Sequence, residues 1–330
     1  MRIALAYNLK KSEPSLDPKE QIDLEFDSPG VTKGQKEAIE SLGHKVFLLN
    51  ADENAFLKLK KLKGKIDLVF NVAEGLNTDA RESQIPIFCE VLGIPYTHSG
   101  PTTHAIKLDK EFTKLIVKGA GITNVPGSTK FPLIVKPNKE GSSKGIMDDS
   151  IVHNQKELQK KTKQIKDEFG VEVLAEEYIE GREFTVAVIG NGNLKVLPII
   201  EQKFDFLPAG MNKIASYELK WLYEDKLKDI KVAYDCPAKL DKKVEDEIVR
   251  VSKAIYTLLD VRDCARIDYR LDKDNNLFFL EINTLPGMIP PSENTLSYFP
   301  LAAYTAGMTY KDLIGEIIKL ACARYSLKTD

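Results

Sequence analysis

Short apolar runs and helix-like runs alternate over the first hundred residues. The predicted strands are residues 3–7, 46–49, 66–71 and 94–97, and the predicted helices are 35–42 and 82–92. Strands that alternate with helices are typical of βαβ units, so this region predicts a parallel sheet. Ligands bind such sheets beyond the carboxyl ends of the strands, which places the residues after Tyr7 and the loop 71–77 at a site.

The pattern changes after residue 130, where strand-like runs are separated by turns. The runs are 131–137, 172–178, 183–189, 194–200, 265–271 and 277–283, and helices are predicted at 107–119, 155–168, 242–259 and 310–323. Strands joined by hairpin turns favour an antiparallel α+β unit. Residues 203–235 and 285–300 predict loops, and a loop as long as the first is usually functional or mobile.

Composition limits the function classes. The chain has 330 residues, 47 basic and 49 acidic side chains, so the net charge of −2 argues against nucleic-acid binding. At about 150 residues per domain, the length predicts two or three domains. No apolar run reaches the roughly 20 residues of a membrane span. The four cysteines are far apart, which predicts reduced, buried, structural thiols and a cytoplasmic location.

A predicted hairpin at residues 265–283 carries the main candidate chemistry. Pairing the two strands across a four-residue turn sets Asp268 opposite Glu281, Arg266 opposite Asn283 and Tyr269 opposite Leu280. Opposed side chains lie about 5 Å apart, so the two acids need a cation or a shared proton. Two carboxylates and an amide oxygen form a donor set that suits Mg²⁺. A solvated outer face and a protonated acid pair are the open alternatives.

A glycine- and serine-rich loop, residues 138–145, follows the predicted strand that ends in Lys136-Pro137. Small residues allow backbone N–H groups to approach an anion, and Ser142 and Ser143 add hydroxyl donors. Lys136 supplies a positive charge at the strand end. The loop is neither a Walker A motif nor a dinucleotide-binding motif, so on its own it is equally compatible with an exposed hairpin.

Three segments occur in a characteristic order: IVKPNKEGSSKGI, EEYIEGREFTVAVIG and ARIDYRLDKDNNLFFLEINTLPGM. Together they resemble the D-alanine–D-alanine ligases and their relatives in the ATP-grasp superfamily, over residues 1–324. The resemblance implies mixed α/β and α+β architecture, an ATP-grasp fold with an N-terminal parallel α/β domain. Its parts would be an N-terminal substrate-side domain (1–103), a central lobe (104–190) and a C-terminal lobe with the metal site (191–330).

The resemblance also implies site residues. ATP contacts would come from Lys110, Lys136, Ser142, Ser143, Glu176, Glu177, Ile179, Glu183 and Lys220. The ligands of two Mg²⁺ ions, for which Mn²⁺ could substitute, would be Asp268, Glu281 and Asn283. Catalytic roles would fall to Arg266, Ser142, Lys220 and Glu74, and substrate contacts to Gly287, Ser297 and Trp221.

The substrate half departs from the family pattern. The family's glycine-serine turn and glutamate after the first strand are absent here, where Tyr7 leads into NLKK. Glu74-Gly75 stands where the family has His-Gly, and Trp221 stands where it has a tyrosine in the lid. Ser297-Tyr298 only approximates the family's serine-leucine pair. An acidic Glu74 could meet a cationic group on either substrate.

These observations predict an ADP-forming ligase that joins a carboxylate to an amine through an acyl phosphate, with an altered amino-acid site. The alternatives are a D-alanine–D-alanine ligase of peptidoglycan synthesis and a non-catalytic, ATP-binding regulatory protein. The expected partners are small amino-acid or peptide-like molecules, with neither nucleic acid nor membrane. Family members are often homodimers, so a homodimer is also expected.

Overall fold

The computed structural model describes residues 1–11, 15, 17, 23–224, 227, 229–290 and 297–328. The strands are β1 (Arg2–Tyr7), β2 (Lys45–Asn50), β3 (Leu68–Asn71), β4 (Leu133–Pro137), β5 (Ile151–Val152), β6 (Val173–Glu177), β7 (Gly181–Ile189), β8 (Lys195–Val196), β9 (Ile200–Gln202), β10 (Tyr234–Asp235), β11 (Cys264–Asp272) and β12 (Leu277–Asn283). The helices are α1 (Pro29–Ser41), α2 (Ala55–Leu62), α3 (Gln84–Leu92), α4 (Pro101–Leu108), α5 (Lys110–Gly119), α6 (Gln155–Phe169), α7 (Lys242–Leu258), α8 (Tyr298–Thr305) and α9 (Tyr310–Arg324).

The N-terminal strands form the parallel sheet that the sequence predicts. The strand order is β2-β1-β3, and both neighbours run parallel to β1. The predicted strand at 94–97 is wrong as a full strand, because only an isolated bridge joins Tyr96 to Val69. Pro95 contributes to this result, since its nitrogen has no hydrogen to donate to a ladder. The carboxyl ends of β1 and β3 therefore lead into the loops expected at a site.

The rest of the chain builds two antiparallel sheets. The smaller has the order β5-β4-β6, and α6 packs against it over a core of Leu133, Val135, Val152 and Ile165. The larger has the order β10-β9-β7-β11-β12, with β8 beside β7. β7 ends at Ile189 and lies at the centre of the large sheet, whose other strands all come after residue 190. The large sheet therefore includes strands from both sides of the predicted boundary at 190/191. The three-domain division stays a prediction.

The predicted helix at 107–119 is wrong in one respect, because it is broken at Asp109. Asp109 has extended backbone, and its carboxylate accepts a hydrogen bond of 2.9 Å from the Phe112 backbone nitrogen. This is the geometry of a helix N-cap. The break places Lys110 at the first position of α5, and this side chain reaches the cavity described below.

The segment 203–235, here called the lid segment, contains more structure than a loop. It includes a turn of π-helix at Leu219–Tyr223, a 3₁₀ turn at Ile230–Ala233 and the short strand β10. Its residues 225, 226 and 228 lie outside the described part of the chain, as do residues 291–296 of the predicted loop 285–300. That loop ends earlier than predicted, because α8 begins at Tyr298.

The cysteines mostly behave as predicted. All four are free thiols, and Cys89, Cys264 and Cys322 are buried. Cys236 is only partly buried, which corrects the prediction for that residue. None of the helices in the described part of the chain is both long and apolar enough to cross a membrane.

Candidate active site

A cavity of about 270 Å³ opens between the two antiparallel sheets. Its walls come from both sheets, the start of α5, the glycine-serine loop, the π-helical turn and the loop after β3. The predicted site residues on these walls are Glu74, Lys110, Lys136, Ser142, Ser143, Glu176, Glu177, Ile179, Glu183, Lys220, Arg266, Asp268, Glu281, Asn283 and Gly287. The other two lie beside wall residues: Ser297 Oγ donates to the Gly287 carbonyl at 2.7 Å, and Trp221 Nε1 donates to the Ser142 carbonyl at 3.2 Å.

The hairpin of β11 and β12 brings the predicted metal ligands together. Asp268 pairs with Glu281 and Arg266 pairs with Asn283, as the sequence predicts. The predicted pairing of Tyr269 with Leu280 is wrong, because a bulge between Asp268 and Tyr269 moves the partner to Phe279. The bulge places Phe279 opposite Tyr269 in the buried core of the large sheet, while the acids face the cavity.

Each of the two acids lies beside a cation. Arg266 Nη2 lies 2.9 Å from Asp268 Oδ2, and Lys110 Nζ lies 3.5 Å from Glu281 Oε2. Burial alone would raise the pKa of Glu281, but the charges of Lys110 and other nearby cations outweigh it and lower this pKa to about 2. A protonated acid pair therefore does not fit. A solvated outer face does not fit either, because Asp268 is buried.

The donor set suits a hard cation. The Asn283 amide nitrogen donates to Asp268 Oδ2 at 3.4 Å and to Glu281 Oε1 at 3.5 Å, so three side chains that carry oxygen atoms converge. Carboxylate and amide oxygens are typical ligands of Mg²⁺. Within the residues that the structure describes, no group of three or more His, Cys, Asp or Glu side chains is arranged for a metal, and this set depends on its amide.

A buried lysine pair surrounds Glu176. Lys136 Nζ lies 2.7 Å from Glu176 Oε1, and Lys114 Nζ donates a hydrogen bond to Glu176 Oε2. Burial lowers the pKa of Lys114 to about 8 although Glu176 opposes this shift. The sequence analysis missed Lys114, but its spacing of four residues from Lys110 on one helix was a usable signal, because such residues share a face.

The glycine-serine loop meets the lid segment above the cavity. Ser142 and Ser143 adopt left-handed backbone conformations, with φ of 52° and 60°. Ser143 Oγ donates to the Ala215 carbonyl at 2.8 Å, in addition to the hydrogen bond between Trp221 and Ser142. Lys220 also lines the cavity, and burial lowers its pKa. The glycine-serine loop and the lid segment, which both carry groups suited to anion binding, therefore cover the same cavity.

The opposite wall presents groups for a polar, planar ligand. Glu183 accepts two hydrogen bonds from Arg270, at 3.0 and 2.9 Å, and Arg270 also donates to the Ile179 carbonyl at 2.7 Å. Burial raises the pKa of Glu183 although Arg270 opposes this shift. Glu177 accepts a hydrogen bond of 3.2 Å from the Lys130 backbone. The sequence analysis assigned no role to Arg270.

The wall contributed by the N-terminal part of the chain, here called the N-terminal wall, holds charges that sequence reasoning also missed. Glu82 pairs with Lys107 and lies 3.4 Å from His104 Nδ1. Glu25 pairs with Arg81 at 2.6 Å, and Glu74 lines the same side of the cavity. These partners come from distant parts of the chain, so no local spacing revealed them.

Two antiparallel sheets that close on lysines, a glycine-serine loop and paired carboxylates define an enzyme of the ATP-grasp class. The family model described as "D-ala D-ala ligase C-terminus" matches residues 106–319. The chain therefore belongs to the D-alanine–D-alanine ligase family and is an ATP-dependent ligase that forms C–N bonds.

Curated relatives match most of the chain. The D-alanine–D-alanine ligase of Aquifex aeolicus is 35% identical over 306 residues, which are 87% of this chain and 92% of the relative. The uncharacterized protein y4sG of Sinorhizobium fredii is 32% identical over 305 residues, 87% of this chain and 86% of the relative.

Solved structures share the fold. The D-alanine–D-alanine ligase of Bacillus anthracis complexed with ATP aligns with a TM-score of 0.71 at 22% identity, covering 99% of both chains. The VanG D-Ala:D-Ser ligase of Enterococcus faecalis aligns with a TM-score of 0.68 at 20% identity, covering 97% of this chain and 99% of that chain.

Proposed function

We propose that this ligase joins a small amino-acid or peptide-like acid to an amine through an acyl phosphate, with an amino-acid site that differs from that of the D-alanine–D-alanine ligases. The observation that carries the proposal is the cavity itself. It places paired acids, Lys110, Lys136 and Arg266 around one space that two loops cover. The cytoplasmic location that the cysteines predict stays a prediction, as do the homodimer and the unit boundaries at 103/104 and 190/191, which the resemblance implies.

The charged residues fit phosphoryl transfer to a carboxylate. A carboxylate is a poor acyl donor at neutral pH, and its conversion to an acyl phosphate gathers negative charge on the phosphoryl oxygens. Lys110 and Lys136 offset that charge, and Arg266 stabilises the oxyanion that forms when an amine attacks. Asp268, Glu281 and Asn283 would hold two Mg²⁺ ions, or Mn²⁺ in their place, which supply further charge neutralisation at the triphosphate.

The remaining ATP contacts follow from position in the cavity. We assign Glu176, Glu177 and Ile179 to the adenine, Glu183 to the ribose hydroxyls, and Ser142, Ser143 and Lys220 to the phosphates. All of these residues line the cavity. Acyl phosphates hydrolyse, so the reaction needs a space without water. The contact between Trp221 and Ser142 supports a role of the lid segment in excluding water.

The residues on the substrate side support a substrate other than two D-alanines. Glu74 replaces the family's histidine, and Tyr298 lines the cavity where the family has an apolar residue. Tyr298 donates to Gln202, and its hydroxyl lies 3.3 Å from Glu224. These groups change both the charge and the shape of the substrate side of the cavity. We assign to Gly287 a backbone contact with the second substrate, and to Ser297 a contact with the carboxylate of that substrate.

Phosphate release tests the proposal. Purified protein is incubated with ATP and Mg²⁺ and a panel of acids and amines, and phosphate and coupled products are measured. We expect release with at least one pair and weak or no release with D-alanine alone. Robust formation of D-alanyl-D-alanine would contradict the altered site. Release with no pair, despite bound ATP, would favour the regulatory alternative.

A further inference from the structure

The side chain of Arg270 joins three parts of the cavity wall. Arg270 lines the cavity and is only 3% exposed. Its Nε and Nη2 atoms donate to Glu183 on β7, and its Nη1 atom donates to the Ile179 carbonyl at 2.7 Å. Nη2 also donates to the carbonyl of Lys213 in the lid segment. One guanidinium group therefore contacts residues that we assign to the ribose and the adenine, and also the segment that covers them.

Two aromatic rings fix the plane of this guanidinium group. Its carbon atom lies 5.0 Å from the centre of the Tyr178 ring and 5.8 Å from that of the Phe204 ring. The Tyr178 hydroxyl donates to the Lys213 carbonyl at 3.3 Å, the same oxygen that Arg270 reaches. Because arginine is a rigid, planar donor that stacks on aromatic rings, these contacts restrict its rotation. Phe204 and Lys213 both belong to the lid segment, so Arg270 also holds the first third of that segment.

The same contacts fix the carboxylate of Glu183. Arg270 lies directly opposite Glu183 in the antiparallel pairing of β11 with β7. Both hydrogen bonds from Arg270 reach Oε2, at 3.0 and 2.9 Å, and among the described residues no group donates to Oε1. A carboxylate that is held at one oxygen keeps the other as an acceptor, and hydroxyl groups are donors.

We propose that Arg270 is a positioning residue, which orients Glu183 toward the ribose hydroxyls of ATP and couples ribose binding to the position of the lid segment. This inference rests on the proposed function, which assigns Glu183 to the ribose. Coupling between two sites is reciprocal. A ribose that binds Glu183 therefore orders the start of the lid segment, and an ordered lid segment strengthens ribose binding.

Nucleotide binding tests the first part of this role without turnover. ATP, 2′-deoxyATP and 3′-deoxyATP are titrated calorimetrically with Mg²⁺ into wild type, Glu183→Gln and Arg270→Met. We expect wild type to prefer ATP to at least one deoxynucleotide by about 10- to 100-fold, the range for losing one charged hydrogen bond. In both variants the preference should fall to within about 3-fold.

A second arginine of the same sheet provides the matched control. Arg182 donates to Glu201 from Nε and Nη2, at 2.8 Å each, and its guanidinium carbon lies 4.9 Å from the centre of the Phe184 ring. Neither Arg182 nor Glu201 is among the described residues that line the cavity. Arg182→Met should therefore lower the melting temperature but keep the wild-type preference for ATP, which separates positioning from a general loss of stability.

A conservative variant covers the case in which Arg270→Met does not fold, because that change leaves Glu183 buried without its partner. Arg270→Lys keeps a positive charge beside Glu183 but lacks the planar fork that reaches the carbonyls of Ile179 and Lys213. We expect it to fold and to show a reduced preference for ATP. Full preference in a folded Arg270 variant, with loss in Glu183→Gln, overturns the inference alone. Full preference in Glu183→Gln overturns the ribose assignment and the inference together.

Hydrogen exchange tests the coupling to the lid segment. Peptides that cover residues 203–217 are followed by mass spectrometry in the presence of saturating ATP or 2′,3′-dideoxyATP, each with Mg²⁺. In wild type, ATP should slow exchange in these peptides more than the dideoxynucleotide does, and in Arg270→Lys this difference should disappear. Equal slowing by the two nucleotides in wild type overturns the coupling.

Discussion

At the scale of the residue, the acid pair of the hairpin is the best-determined part of the site. Glu281 and Asp268 face each other across β11 and β12, and each forms an ion pair, Glu281 with Lys110 and Asp268 with Arg266. The alternation of side chains along a strand makes such a pairing readable from sequence. The sequence therefore predicted correctly that Asp268 and Glu281 are neighbours. Their role as metal ligands stays a proposal.

We expect Glu281→Gln to lower ATP-dependent phosphate release by at least about 100-fold, because a neutral amide replaces a charged metal ligand. The fold should be largely retained, since the hairpin's backbone pairing does not involve this side chain. Phosphate release and a thermal melt check both parts. Glu37→Gln, at an exposed site, is the control. Unchanged release in Glu281→Gln would remove the metal assignment.

The sequence could not show which buried acids pair with which lysines. Glu82 and Lys107 are 25 positions apart, and Lys114 and Glu176 are 62 apart. From the sequence alone, each of these side chains is expected to be exposed to solvent, because charged residues are rarely buried unless they are paired. Only the packing of α4 and α5 against the cavity shows that these lysines are buried.

At the scale of the element, sequence patterns located most strands and helices but not their interruptions. The bulge at Leu280 of β12 changes the pairing of Tyr269 and of the residues of β11 that follow it, and the N-cap at Asp109 divides one predicted helix into two. The π-helical turn at Leu219–Tyr223 lies in a segment without clear periodicity. Such features depend on contacts with other elements, so propensity and spacing do not reveal them.

Gly181 tests how β7 is held against β11. Its φ is +149°, and a Cβ there would lie 2.1 Å from the Leu271 carbonyl oxygen. We expect Gly181→Ala to lower the free energy of unfolding by roughly 1–3 kcal/mol or more, and to weaken ATP binding through Glu183. Urea unfolding and nucleotide titration measure the two effects.

The matched control is Gly192→Ala in the turn between β7 and β8. Gly192 also has a positive φ, +83°, but a Cβ there would meet nothing within 4 Å. We expect a cost of only about 1 kcal/mol, from the left-handed backbone, and normal ATP binding. Equal losses in the two variants would contradict a specific clash with β11.

At the scale of the whole molecule, the core joins the first and last parts of the chain. One cluster contains Ile3 and Leu5 of β1, Ala187 of β7 and Leu313 of α9. The Arg324 guanidinium on α9 also reaches the buried Asp263 at 2.9 Å. The smaller antiparallel sheet is different, because its own core has four buried members among the described residues. Local stability should therefore be lowest in that sheet.

We expect hydrogen exchange to show this difference. Backbone amides of β4 and β6 should exchange faster than those of β7 and β11 in the free protein, because their core is smaller. ATP with Mg²⁺ should slow exchange in β4 and β6 most, since Lys136 and Glu176 lie on these strands. Mass spectrometry with peptide resolution measures both. Uniform exchange across the two sheets would contradict the expectation.

The hydrogen bond from Trp221 to the Ser142 carbonyl has a consequence for the order of events. Like the hydrogen bond from Ser143 to Ala215, it joins the glycine-serine loop to the lid segment, so a reactant that passes between these two segments enters before the bonds form and its product leaves after they break. Turnover by that route therefore includes a closing step before the reaction and an opening step after it. Slower breaking of the hydrogen bond between Trp221 and Ser142 would delay product release without altering the rate of the chemical step.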